Sequence, residues 1–309
     1  MFKILGITKL SLTTFAGAIL FSNLVLGSTV SVPCEMANDL CLVRGGFNNL
    51  QNLWLALDTG SSFSIIDTTY VPSLNATSNG TAIVDGAGKG ATNDAVIYES
   101  VAIQIGPLIL PSEKILALPI QYAAKGVHHQ VDGFLGWNVF NNFIVNIDYP
   151  NAKASFATFD SVLDWPNDAI SFEFGNDNVP VVVAKIKLKD GKIIEGKFLV
   201  DIGQLGSDII INEPFRLAHP ELLKEFPIDH VSVDAVGGKI NFDRSRVTEL
   251  QMNSIKISPA TVAYPISPNG VYARADIAGA IGVSVFKRYS CTFDYSRKKI
   301  LLEAPTQKP

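Results

Sequence analysis

Leu53-Trp54-Leu55-Ala56-Leu57-Asp58-Thr59-Gly60-Ser61-Ser62-Phe63-Ser64-Ile65-Ile66 is the stretch on which the reading of this chain turns. Its opening apolar run reads as a buried strand. The run ends on a carboxylate, turns at a glycine flanked by hydroxyls, and continues as a second apolar run. An ionised side chain at the tip of a buried strand is costly unless it is paired or hydrogen-bonded. Asp58 is therefore held neutral, well hydrogen-bonded, or used in chemistry.

The rest of the chain sets the bounds. At 309 residues it has room for about two domains. With 47% apolar and 17% charged residues it can bury a sizeable core, which excludes wholesale disorder. A net charge of -4 leaves no basic footprint, so nucleic acid is not expected as a partner. The four histidines form no His-Glu-x-x-His pattern, which argues against a zinc hydrolase, and no metal or other cofactor is expected.

The N-terminus carries Lys3 and Lys9, then an apolar segment from Leu10 to Leu26, then Gly27 and Ser28. A charged start, an apolar middle and a small-residue end describe a signal peptide. With Val25 and Gly27 at the small-residue positions, cleavage falls after Gly27 and the first 28 residues take no part in the fold. The chain is then exported, to a periplasm or beyond the cell. The alternative for this segment is an uncleaved anchor. No later segment is long and charge-free enough to span a bilayer. Of three cysteines, Cys34 and Cys41 are close enough in sequence to close a small loop, and Cys291 reads as a buried thiol within a strand. The odd count forbids full pairing within one chain.

The sequence after the leader repeats itself. Val131-Asp-Gly133-Phe134-Leu135-Gly136, then Phe140 and Asp148-Tyr149, is answered by Ile277-Ala-Gly279-Ala280-Ile281-Gly282, then Phe286 and Asp294-Tyr295. Gly136 to Gly282 and Asp148 to Asp294 are both offsets of 146. Upstream, Leu55-Ala-Leu-Asp58-Thr59-Gly60 is answered by Phe198-Leu-Val-Asp201-Ile202-Gly203, at an offset of 143 from Asp58 to Asp201. Between these anchors Leu118-Pro119-Ile120 matches Tyr264-Pro265-Ile266. The period is far too long for a solenoid. It implies two similar domains, 28–165 and 166–309, after a signal segment 1–27.

Each half reads as mostly strand. Pro180–Lys189 and Ile193–Val200 flank an Asp190-Gly191 hairpin turn, with a rougher equivalent around Phe47-Asn-Asn-Leu50. After each Asp-containing turn comes a glycine-rich hairpin: Gly86, Gly88 and Gly90 in the first half, Gly237 and Gly238 in the second. The first superficially suggests a phosphate loop, but it lacks the spacing and leads into a strand-like run, Ala95–Ile105. Short helices are expected after Gly136 and Gly282. The second half also inserts Glu213–Phe226, with a helical turn opening on Pro220.

Taken together, Asp-Thr-Gly, a glycine-rich hairpin, an apolar-apolar-Gly triplet, a short helix and an Asp-Tyr strand resemble one lobe of the pepsin/retropepsin aspartic proteases, and the order occurs twice. The resemblance implies an all-β, two-lobed acid-protease fold with pseudo-twofold symmetry, few short helices and a cleft between lobes. It implies that Asp58 and Asp201 form a catalytic dyad. Two carboxylates about 3 Å apart, the arrangement known in that family, cannot both ionise and share a proton. It places Thr59, Gly60, Ser61, Gly203 and Gln204 in the supporting turns, the Thr hydroxyl bonding across the lobe interface and the residue after Gly supporting the carboxylate. It makes the five hairpin glycines parts of substrate-covering flaps, here without the Tyr that pepsins carry at the tip. The expected partner is a peptide or protein substrate lying as an added strand; one chain already holds two lobes, so a monomer is expected.

The second motif departs from the family pattern. Ile202 stands for Thr and Gln204 for a small residue. Without a hydroxyl at 202, Thr59 is expected to leave a buried group unpaired, at about 1–3 kcal/mol. Gln204 retains hydrogen-bonding groups able to reach the Asp201 carboxylate. The rival reading is a weak or inactive peptide-binding module on the same scaffold. Three other features have plainer readings: His128-His129 as a polar loop rather than a metal site, Asp148 and Asp294 as strand ends, and the Asn75-Ala-Thr77 and Asn79-Gly-Thr81 glycosylation patterns as loop composition.

Overall fold

Each half of the chain threads one short strand between the two that flank its Asp turn. In the computed structural model, which describes residues 3–5, 29–86, 92–161, 165–235, 238–266 and 268–305, strand Leu50–Leu57 leads into Asp58 and strand Ser64–Asp67 leads away from it. Strand Gly133–Leu135 lies between them, parallel to the first through Leu55↔Gly133 and antiparallel to the second through Ile65↔Phe134. In the second half Gly279–Gly282 sits the same way, parallel to Ile193–Asp201 and antiparallel to Ile209–Ile211. The tight threading explains a repeated glycine. A Cβ on Gly133 would stand 2.4 Å from the Ile65 carbonyl oxygen, and one on Gly279 would stand 2.0 Å from that of Ile210.

The two halves meet in a shared six-strand array, three strands from each side. At its centre Ile144–Asp148 pairs antiparallel with Ser290–Asp294, so the two Asp-Tyr strands run side by side in opposite directions. Thr29–Pro33 and Lys153–Ala157 complete the first side; Lys299–Glu303 and Ile170–Ser171 complete the second. One hydrophobic core runs through both lobes, with Leu57, Leu135, Phe140 and Val145 joined to Val200, Ile281, Phe286 and Phe293. The aromatic rings of Phe140 and Phe293 meet edge to face, 5.7 Å apart, across the lobe boundary. The fold is therefore the all-β, two-lobed acid-protease fold.

The expected hairpins form. Pro180–Lys187 pairs with Ile193–Asp201, and its outer part alternates buried Ala184 and Ile186 with exposed Lys185 and Lys187, the two-residue period of a half-buried strand. Leu40–Phe47 and Leu50–Leu57 pair through Asn48–Asn49, where Asn48 takes a left-handed φ of 49°, which Asn tolerates. Helices of one turn, Trp137–Phe140 and Val283–Phe286, follow Gly136 and Gly282. The 213–226 insertion is a short helix, Glu213–Ala218, then a 3-10 turn, Pro220–Lys224.

One expectation needs correction. Lys3–Leu5 is not outside the fold: it forms a strand antiparallel to Ser78–Asp85, through Leu5↔Ile83. The physical reason is that Ser78–Asp85 is otherwise an edge strand, whose unpaired backbone groups accept a passing segment. Among the described residues no helix is long and apolar enough to cross a membrane.

Candidate active site

Asp58 and Asp201 each end a buried strand, and their side chains are 1% exposed. Both are held in the same way. The Gly60 N–H donates to Asp58 Oδ1 at 2.8 Å, and the Gly203 N–H donates to Asp201 Oδ1 at 3.0 Å. The Asp58 N–H is itself fixed by the Leu135 carbonyl at 3.0 Å, so the threaded strand sets the turn.

The two turns face one another. A Cβ added to Gly60 would lie 2.4–2.7 Å from the Asp201 carboxyl, and one added to Gly203 would lie 2.6–2.8 Å from the Asp58 carboxyl. Each carboxyl thus rests on the glycine of the opposite turn. This reciprocal seat brings two residues 143 apart in sequence into one buried pair. Burial, then the Asp201 charge beside it, pushes Asp58 up to about 7. Asp58 thus holds its proton well above the range of free carboxylates.

The Thr59 hydroxyl corrects the expectation of an orphaned group. It donates to the Val200 carbonyl at 2.8 Å and accepts the Ile202 N–H at 3.1 Å. Both partners are backbone groups of the second turn, so Ile202 supplies what Thr59 needs without a hydroxyl of its own. The Ile202 side chain joins the buried core instead. Thr59→Val is expected to strip both cross-lobe bonds and lower stability by about 1–3 kcal/mol. Denaturant unfolding of the variant would read this, and an unchanged midpoint would show that the bonds contribute nothing.

Ser61 and Gln204 also differ from expectation. The Ser61 hydroxyl donates to the Phe63 carbonyl at 2.6 Å, so it closes its own turn rather than serving Asp58. The carboxylate needs less support because Gly60 already donates to it. Gln204 is buried against Gly282, and its amide nitrogen has no hydrogen-bond partner among the described residues. Its backbone does the structural work, accepting the Val283 N–H at 3.0 Å and so anchoring the short helix.

A hairpin follows each Asp turn along the chain. Ser78–Asp85 and Thr92–Ile105 form the first, Phe226–Ala235 and Gly238–Val247 the second. Gly88, Gly90 and Gly237 lie outside the described residues. Gly86 ends the first arm, and its carbonyl accepts the Val271 N–H of the other lobe at 3.4 Å. Gly238 takes a φ of 106° at the second turn, a value glycine adopts without strain. The helix Gln121–Val127 of the first lobe packs against Phe226–Ala235. Each hairpin therefore touches the other lobe, and in each case the touched segment precedes the threaded strand.

Residues 43–139 match the family model described as aspartyl protease. No curated protein matches the chain. The matched span runs from the hairpin that carries Asp58 to the helix after Gly136. The second lobe repeats the threaded strand, the hairpin after the Asp turn and the one-turn helix.

The sequence did not single out Tyr272 or Tyr295 as neighbours of the pair. Both hydroxyls are pushed up, chiefly by burial and secondarily by the nearby Asp201, which for Tyr295 acts together with Asp58. The Asp294-Tyr295 repeat was the available signal for the second. Asp148 and Asp294 cap turns, Asp148 accepting from Asn151 and Asp294 from Ser296 and Arg297. His129 sits against Glu35 at 3.0 Å and edge-on to Trp54. Among the described residues no cluster of three or more His, Cys, Asp or Glu side chains fits a metal ion.

Proposed function

We propose that this chain is an aspartic endopeptidase in which Asp58 and Asp201 activate one water between them. The observation that carries the reading is the reciprocal seating of each carboxyl on the opposite glycine. In this scheme the ionised carboxyl takes a proton from the water, whose oxygen attacks the scissile carbonyl carbon. The protonated carboxyl donates to the carbonyl oxygen. Collapse of the tetrahedral intermediate breaks the C–N bond, and the amine leaves with a proton from the dyad. Gly60, Gly203 and Thr59 hold the pair; Ser61 and Gln204 shape the turns behind it. The hairpins bearing Gly86, Gly88, Gly90, Gly237 and Gly238 would cover an extended peptide bonded through its backbone. A chain that carries both halves would act as a monomer. The 1–27 segment would direct it to a periplasm or outside the cell, its Lys3–Leu5 strand leaving the Ser78–Asp85 edge on cleavage, with lobes 28–165 and 166–309 as the working enzyme.

Gln204, whose buried amide nitrogen has no hydrogen-bond partner among the described residues, favours a second reading, a peptide-binding module with weak or no turnover. Incubating the full chain with a mixed peptide library between pH 3 and 7 separates the two. Cutting supports the enzyme; peptide retention without cutting at any pH supports the module.

The pH dependence has a definite sign. Asp58 is raised in the folded chain, from an ordinary 3.8 to about 7. Its protonated form is thus favoured by folding, and the stability it contributes is present below about 4 and lost as pH rises to about 7. Wild type is expected to lose thermal stability across that window relative to Asp58→Asn, whose amide does not titrate. Parallel melting curves of the two from pH 4 to 8 would overturn this. Hydrolysis is expected to fall only as pH passes about 7, where Asp58 of the folded chain gives up its proton.

A further inference from the structure

The strand Thr29–Ala37 changes partners halfway. Residues 29–33 pair with Lys153–Ala157 in the shared array, and residues 34–37 pair with Leu40–Val43 in the first lobe. Cys34 stands at that corner, its N–H bound to the Ala152 carbonyl at 3.1 Å. Cys41 lies on the returning strand, beyond a two-residue turn. Both turn residues, Asn38 and Asp39, have positive φ, 45° and 75°, as a tight hairpin with the right twist requires.

The register brings the two thiols together. Cys34 is opposite Val43 and Cys41 is opposite Met36, so the cysteines are diagonal neighbours on one face. Both flanking pairs are of the closer, non-hydrogen-bonded kind, because the pair beside a two-residue turn is hydrogen-bonded and the kinds alternate. The right-handed twist of the strands swings position 34 toward position 41 and shortens this diagonal. Both side chains are buried, at 9% and 1% exposure. Their closeness also shows in the Cys41 thiol, which is pushed up first by its hydrogen bond with Cys34 and then by burial. The third thiol is committed elsewhere: Cys291 Sγ donates to the Phe286 carbonyl at 3.2 Å. The pairing that the sequence left open, two partners among three cysteines, is thereby narrowed to one.

We propose that Cys34 and Cys41 are a disulfide-forming pair, closed by an oxidised thiol–disulfide donor such as glutathione disulfide or an oxidoreductase, and that the bridge staples the corner between the shared array and the lobe carrying Asp58. One thiolate attacks the donor disulfide, releases one donor thiol and forms a mixed disulfide; the second cysteine displaces the other donor thiol. Two S–H bonds are lost, one S–S bond forms, and the donor gains two electrons and two protons. Since both thiols are buried after folding, the exchange occurs before the hairpin closes or when it opens. The bridge does not depend on the protease reading, because it needs no dyad.

The test uses the full chain refolded in a reduced/oxidised glutathione mixture, then denatured without reductant and treated with a maleimide. One labelled thiol per chain is expected, at Cys291, with an intact mass about 2 Da below the reduced chain. Cyanogen bromide cleavage after Met36 should leave two fragments joined until a reductant is added. The loop is short, so the bridge is expected to raise Tm by only about 4 °C, and Cys34→Ser should remove the response of Tm to reductant. Cys291→Ser should leave the bridge in place with no labelled thiol. Three labelled thiols in wild type, a bound glutathione, or a bridge through Cys291 would each overturn the proposal. Should Cys34→Ser fail to fold, the labelling and cleavage of wild type still decide.

Discussion

Asp58→Asn and Asp201→Asn are each expected to lower peptide hydrolysis by at least about 10³-fold while leaving the fold intact. The reaction needs one carboxyl as base and one as acid, and an amide can do neither. Either variant alone removes the sharing of a proton, so the two losses are not additive and the double variant should be no worse than the singles. The fold has reason to survive. Gly60 and Gly203 donate to one oxygen of each side chain, and an Asn carbonyl oxygen accepts equally well. Burial and the neighbouring charge make Asp58 unfavourable as a carboxylate, so its amide should be at least as stable as wild type above pH 7. The measurement is turnover of a cleaved library peptide beside a melting curve. Residual activity within about tenfold of wild type in either variant would remove that residue from the chemistry. Loss of both activity and folding would instead mean that the pair is structural.

The main outline of the fold was legible because duplication is visible in a single chain. Landmarks recurring in order at offsets of 143 and 146 implied equivalent turns, and the antiparallel crossing of the Asp-Tyr strands is the physical consequence. The reach of side chains was not legible. Sequence said that Ile202 has no hydroxyl; it could not say that its backbone N–H would meet Thr59, because that bond spans two lobes. The same holds for Ser61, which a two-residue local bond diverts to Phe63. Local pattern reports which groups exist, and only packing reports which of them meet. The Lys3–Leu5 strand was missed for a related reason, since an exposed edge selects partners by backbone rather than by side chain.

Gly60→Ala and Gly203→Ala are expected to reduce turnover by about 10²-fold or more, with the damage falling on the opposite Asp. The usual argument for glycine in a turn is backbone freedom, but neither residue takes a left-handed φ. Space is the constraint. A methyl on Gly203 would stand 2.6 Å from the Asp58 carboxyl, and one on Gly60 would stand 2.4 Å from that of Asp201. Real Cβ contacts do not come so close, and each carboxyl is buried and held by the glycine N–H of its own turn. The carboxyls must therefore part, or the turns must. Parting weakens the repulsion that keeps Asp58 protonated, so the upper limb of the pH–rate profile should shift downward in the residual activity. A purely structural glycine would lower the amount of folded protein and leave that profile where it was. If Gly203→Ala retains wild-type turnover and an unshifted profile, the two carboxyls are not seated on the opposing glycines, and the geometry on which the protease reading depends is wrong.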